Sequence, residues 1–416
     1  MVSIEQQDVN SEPLLFYYDA ANRMVKMTDP GIQDTTFTYD NADRRTSITW
    51  PGAGSQTIGY DTSGRQTSIS VKNPAGAETF KVTYSYAVPG GGDSDLLQSK
   101  AIAGVTTAFS YDPLRRLSKA GNDTFSYDLA SNMTTLAGTS FTMNAANQPT
   151  QAGNSTNQFD AAGNLTSRTN PSETYTYSPT NQLLSATSGG VEVYRASYDG
   201  IDHTQPRSIT EKVGSTTSTH VFGQTALGPM WVKENGSLTT YSRDPRGTVM
   251  TVQTDNGARY NAITDYQGSV LGLVDTKGNL AATYTYTPYG KSTASGAAAA
   301  ANNLKYLGQY QTQRGALLFG YRYYQPDWGR FTQPDPTGQE RNPYNYATCD
   351  PINNVDPTGA ASSACKKAGA VAIVAILGTT ATYVATAATA GVTAGLAVGT
   401  TNAFIGALAG VISACS

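Results

Sequence analysis

The chain has 416 residues, a net charge of −3 and only 14% charged residues. Soluble domains usually carry roughly 25%, so Ser, Thr, Asn and Gln must supply much of the polar surface, which suits β-structure. No basic run interrupts this mildly acidic balance, and that excludes the electrostatic footprint of a nucleic-acid binder.

The opening residues, MVSIEQQDVNSEPLLFYYD, contain no basic start followed by an apolar core, so no secretory signal is visible. Either the chain is not exported by itself, or it is the C-terminal portion of a longer exported polypeptide. From Phe16 onward a short pattern recurs: aromatic-x-Tyr-Asp, then small residues, then Gly or Asn with Arg. Tyr18, Tyr39 and Tyr60 recur every 21 residues, and Tyr111, Tyr127, Met143 and Phe159 every 16. Self-similarity at a fixed period predicts a stacked repeat, each unit reading as strand, turn, strand. One hairpin is marginal in water, so the units are expected to pair edge to edge into a sheet that coils through its own twist. The repeated Asp is expected to cap its turn, with no catalytic role.

His203 and His220 are the two histidines, and neither has a Cys or second His at ligand spacing. They read as exposed loop or strand residues, and no metal or other cofactor is expected. Cys365 and Cys415 bracket the last segment and could pair in an oxidising compartment, leaving Cys349 alone; three free buried thiols are the equal alternative.

Residues 320–359, GYRYYQPDWGRFTQPDPTGQERNPYNYATCDPINNVDPTG, hold two Asp-Pro-Thr-Gly turns headed by Asp335 and Asp356. Two readings stand side by side. Asp-Pro-x-Gly is a favourable turn sequence with no chemistry required. Alternatively, two carboxyls folded together cannot both ionise cheaply, so one acts as base on water while the other protonates an amide, with Arg322 holding the charged member. Asp350, before Pro351, reads as structural.

After these residues the composition changes. From Ala368 to Ser416 there is no charged residue. That length accommodates two membrane-spanning helices, 368–390 and 391–414, the second with Gly-x-x-x-Gly spacing and Lys366 and Lys367 as headgroup anchors. A guest inside the shell or a small buried helical plug would use the same composition. With no His, Asp, Glu or Arg in it, this tail cannot carry an enzymatic constellation.

The YD repeats, the lead-in segments YSRDPRGTVM, ITDYQGSVLGLVDTKGNL, YTYTPYG and YLGQY, and the 320–359 segment resemble the Rhs/YD-repeat family over residues 15–359. That family includes polymorphic toxins and the C subunit of insecticidal toxin complexes. The resemblance implies a mostly β fold: a coiled YD-repeat sheet forming a partial, cocoon-like shell, followed here by a short α-helical apolar tail. The implied domains are a YD-repeat array at 1–240, a repeat-associated core at 241–359 and the tail at 360–416. Because the array is short for the family, an incomplete turn, open at its N-terminal end, is expected. The resemblance also implies a single-turnover, aspartic-protease-like self-cleavage by Arg322, Asp335 and Asp356, with the cut at Gly359, Ala360 or Ala361. The chain departs from the family pattern in having Ala360 where Leu is usual, and in a shorter interval between the two turns. The expected function is a toxin-delivery shell, extracellular or at the cell surface, that releases and holds a membrane-active peptide. Its partners would be its own tail, a lipid membrane and an immunity protein. The alternative is a non-enzymatic surface module that binds carbohydrate through its tyrosines, with the tail as anchor or plug.

Overall fold

A computed structural model of the chain describes residues 2–4, 14–29, 34–198, 205–225 and 227–360. His203, Ala361, Cys365, Cys415 and the apolar tail lie outside the described residues. Among those described, the chain forms one sheet of 29 strands and a second of four. In the large sheet each strand, from Val2–Ile4 to Ser292–Ser295, pairs antiparallel with the next along the chain. The topology is an uninterrupted meander. The ladder passes through residue 241 without a break, because the strand Ser237–Arg243 pairs on both sides.

The repeat explains the meander. In each unit the register shifts by one residue at the anchor, as between Thr38 and Tyr39 or Gly59 and Tyr60. The next residue is Asp, whose Oδ1 accepts the backbone N–H four residues on: Arg44 at 3.0 Å for Asp40, Arg65 at 2.8 Å for Asp61. The third residue after the Asp sits in the left-handed region, Asp43 at φ 59° and Gly64 at φ 82°, as a tight turn closed by a bulge requires. The repeated Asp is therefore a turn cap, as expected.

The Arg of one unit then stacks on the tyrosine of the next. Arg23 lies over Tyr39 at 5.3 Å, Arg44 over Tyr60 at 4.7 Å and Arg116 over Tyr127 at 4.8 Å. The Tyr39 hydroxyl donates to the Met24 carbonyl at 2.6 Å and that of Tyr60 to Arg45 at 3.0 Å. These units are thus tied to their predecessors by a cation–π contact and a hydrogen bond. This is nearest-neighbour stability, in which no unit stands alone.

The ribbon coils back onto its own beginning. Arg45 pairs with Asp244 at 3.1 Å, 199 positions later, and Thr251 donates to Asp29 at 2.7 Å. No ladder joins the first and last strands among the described residues, so the sheet is coiled but not closed. Compared with the expected incomplete turn, the ribbon goes further, far enough for its start to meet the 237–254 strands through side chains.

The four-stranded sheet, Tyr310–Gln311, Leu317–Phe319, Arg322–Gln325 and Arg330–Phe331, packs against the ribbon. Phe319, Tyr324, Phe331 and Tyr346 join one apolar cluster with Phe16, Trp50 and Ile69, while Tyr310 and Tyr323 join a second with Val252 and Leu273. Where this segment lands, the repeats change. Asn132 and Asn164 replace the turn Arg, and both are buried. Asn132 accepts from the Asn342 amide, and the Gly163 carbonyl accepts the Tyr344 hydroxyl at 2.7 Å. A guanidinium would not fit beneath that cover without losing its solvation. The two turns that carry Asn in place of Arg therefore lie where the last segment docks.

Candidate functional site

The second Asp-Pro-Thr-Gly turn lies directly on the hairpin that carries Arg322. Tyr321 N–H donates to the Thr358 carbonyl at 3.1 Å. A Cβ on Gly320 would sit 2.9 Å from that same carbonyl oxygen, so only glycine permits the approach. Gly359, at φ 69°, turns the chain over Phe319.

Arg322 is 2% exposed and has every arm of its guanidinium in use. Its Nε donates to the Gly359 carbonyl, Nη1 to the Pro343 carbonyl at 2.9 Å and Nη2 to Asp356 Oδ2 at 2.9 Å. The guanidinium carbon stands 3.5 Å from the centre of the Phe331 ring. Burial pulls its pKa down, and the charges of Asp356, Asp335 and Glu340 oppose that shift. Asp356 is as buried as its partner, and its Oδ1 accepts the Gly359 N–H at 2.9 Å and the Ala360 N–H at 3.2 Å. The Gly359–Ala360 peptide is consequently gripped from both sides, its carbonyl by Arg322 and its N–H by Asp356.

Asp335 approaches the next peptide group. Its oxygens accept N–H bonds from Thr337 at 3.0 Å, Gln339 at 3.1 Å and Glu340 at 3.2 Å. The Thr337 hydroxyl lies 2.9 and 2.8 Å from the two Asp335 oxygens and 3.3 Å from the Ala360 carbonyl oxygen. The two turns share a further anchor, since Asp335 N–H donates to the Pro343 carbonyl at 2.8 Å, the carbonyl that also accepts from Arg322. Residues 336–339 are exposed, whereas Asp335 and Ala360 are buried.

Of the residues expected from sequence, Arg322, Asp335, Asp356, Gly359 and Ala360 come together, and Ala361 lies outside the described residues. Sequence reasoning missed Thr337, Pro343 and Phe331. Thr337 stood inside the motif already quoted, but Pro343 acts through its backbone and had no side-chain signal. Asp350 is structural as expected: its carboxylate accepts from Asn353 N–H at 3.2 Å and from the Asn353 amide at 3.0 and 2.9 Å, and burial pushes its pKa up to about 6.

His220 corrects an expectation. It lies on a strand but is fully buried, its Nδ1 2.9 Å from the Tyr310 hydroxyl and its Nε2 3.7 Å from Glu211. The Tyr310 hairpin covers it, and local sequence could not reveal a contact 90 residues distant. Cys349 is a buried free thiol, its pKa pushed up to about 12 by burial.

The teneurin YD-shell sequence model matches residues 97–352, and the RHS-repeat model matches residues 18–55. The tRNA3(Ser)-specific nuclease WapA of Bacillus spizizenii is 27% identical over 264 residues, which cover 61% of this chain and 10% of that protein. The double-stranded DNA deaminase toxin A of Burkholderia cenocepacia is 28% identical over 315 residues, covering 65% of this chain and 22% of that one. The chain therefore spans about a fifth or less of the length of these relatives. In three dimensions it is similar to the crystal structure of TcdB2-TccC3-Cdc42, with a TM-score of 0.69 over 84% of this chain and 20% of that one. At 16% identity that likeness shows the fold.

Proposed function

Because the chain belongs to the teneurin YD-shell family, with an RHS repeat ahead of the match, we propose that it is the C-terminal shell portion of an extracellular or cell-surface polymorphic toxin and that it cuts its own backbone once, beside Ala360. The division into a repeat array at 1–240, a core at 241–359 and a tail at 360–416 is part of this proposal. So is the role of the tail, an apolar membrane-active peptide held by the shell that made it, with a lipid membrane and an immunity protein as its further partners.

One observation carries the reading. Arg322, Asp356 and the Asp335–Thr337 pair converge on two successive peptide groups at Gly359 and Ala360. Turn-forming alone asks for no buried arginine here, and burying one is costly unless every donor is matched. The Gly359–Ala360 peptide serves as the handle, since Arg322 and Asp356 already saturate it. The Ala360 carbonyl is the target.

In the proposed step a water molecule loses a proton to the Asp335 carboxylate as its oxygen adds to the Ala360 carbonyl carbon. The carbonyl electron pair moves onto oxygen. Collapse of this tetrahedral species breaks the bond to the Ala361 nitrogen, which takes the proton that Asp335 removed. A carboxylate at Ala360 and a new amino terminus at Ala361 result. The Arg322–Asp356 pair keeps the target fixed against the base, the positional part of catalysis.

Mass spectrometry of the purified chain tests the reading. Two fragments joining at Ala360 are expected, with intact 43.9 kDa chain accumulating in Asp335→Asn. Finding only intact wild-type chain, or equal cleavage in Asp335→Asn, would overturn it. Leakage of anionic vesicles by a synthetic 361–416 peptide tests the tail separately, and absence of leakage at micromolar peptide would remove its membrane role.

A further inference from the structure

We infer that the Thr337 hydroxyl is the group that stabilises the oxyanion formed on Ala360, switching its single proton from Asp335 to that oxygen as the water attacks. This rests on the self-cleavage reading above and adds to it a residue outside the Arg–Asp–Asp set.

A threonine hydroxyl has one proton to give and two lone pairs. In the resting chain Thr337 Oγ1 is closer to the Asp335 oxygens, 2.9 and 2.8 Å, than to the Ala360 carbonyl oxygen at 3.3 Å. Its proton goes to the better acceptor, which at rest is the carboxylate. Once Asp335 has taken a proton from water it is a poor acceptor. The Ala360 oxygen, now carrying charge, becomes the strongest acceptor within reach of the same hydroxyl. The rotation is about one bond and asks for no backbone movement.

The other donors nearby are committed. Arg322 holds the Gly359, Pro343 and Asp356 oxygens. The Thr337, Gln339 and Glu340 N–H groups point at Asp335. Thr337 is therefore the donor through which Asp335's change of charge is relayed to the reacting oxygen. Thr337 is itself exposed, as are residues 336, 338 and 339.

The experiment follows fragment formation by full-length chain, refolded from denaturant, across pH for wild type, Thr337→Val, Thr337→Ser and Asp335→Asn. Loss of one oxyanion donor is expected to lower the plateau rate by roughly 10²-fold. Thr337→Ser should restore the rate to within a few-fold of wild type. Circular dichroism melting of Thr337→Val in the Asp335→Asn background reports whether the turn still folds. A plateau rate in Thr337→Val equal to that of wild type overturns the inference, whatever else the substitution does to the pH profile. A serine variant as slow as the valine variant also overturns it. Both results leave self-cleavage standing, whereas an uncut wild-type chain, or cleavage surviving in Asp335→Asn, removes the reading beneath it and the inference with it.

Discussion

Replacing Arg322 by Gln tests how the junction is held. The guanidinium pairs with Asp356 at 2.9 Å, both side chains about 1% exposed. It also satisfies the Gly359 and Pro343 carbonyls and lies 3.5 Å from the Phe331 ring centre. Removing one partner of a buried pair costs about 3–5 kcal/mol, because the other charge is left without compensation. Each orphaned carbonyl adds about 1–3 kcal/mol, and a desolvated cation–π contact about 2 kcal/mol. These terms share atoms and do not add, and glutamine can still donate to one carbonyl, so the expected loss is about 5 kcal/mol. That is a large share of the roughly 5–15 kcal/mol by which native domains are stable. Urea unfolding would be measured with Asp335→Asn present throughout, so that every chain stays in one piece. Asp356→Asn should recover about 2–4 kcal/mol of the Arg322→Gln loss, since the orphan charge is then gone. If Arg322→Gln costs under about 1 kcal/mol, or the two substitutions simply add, the pair is not what holds the junction.

His220 is held below its usual pKa by burial, with Glu211 and Glu234 as the facing carboxylates, so its contribution to stability is present above about pH 6.5 and is lost as pH falls through the native value. Glu211 is pushed up by burial and acts with the opposite sign, so the difference between wild type and His220→Gln isolates the histidine. Urea midpoints from pH 7.5 to 5 should fall more steeply for wild type, and parallel curves would refute this. Asp350, raised from 3.8 to about 6, favours the native state most below pH 3.8 and loses that advantage as pH rises through 6. Above it the carboxylate costs about 3 kcal/mol, so Asp350→Asn should be more stable than wild type at pH 8 and not at pH 4. A pH-independent difference would show that the Asn353 bonds decide instead. Asn132 bonds Asp128 and Asn147 and accepts from Asn342, so Asn132→Ala should cost about 2–3 kcal/mol. Arg44→Ala, at a turn where the arginine side chain is 31% exposed, should cost about 1 kcal/mol or less. Equal losses in thermal melts would contradict the contrast between covered and open turns.

The sequence alone carries the repeat, because period, turn chemistry and the Asp cap are local. Asp40 and Arg44, or Asp61 and Arg65, lie four residues apart and need no distant partner to form their turn. It also marked Arg322, Asp335 and Asp356 through a motif dense enough to resemble a known family. Folding in three dimensions sets how far the ribbon coils, since Arg45 finds Asp244 across 199 positions. It alone explained why Asn132 and Asn164 replace arginine, buried His220, and set Thr337 between Asp335 and the Ala360 oxygen. Those outcomes depend on which surfaces meet when the last segment lands on the ribbon. Such contacts are fixed by shape and desolvation over long sequence separations, and they leave no period or spacing to read.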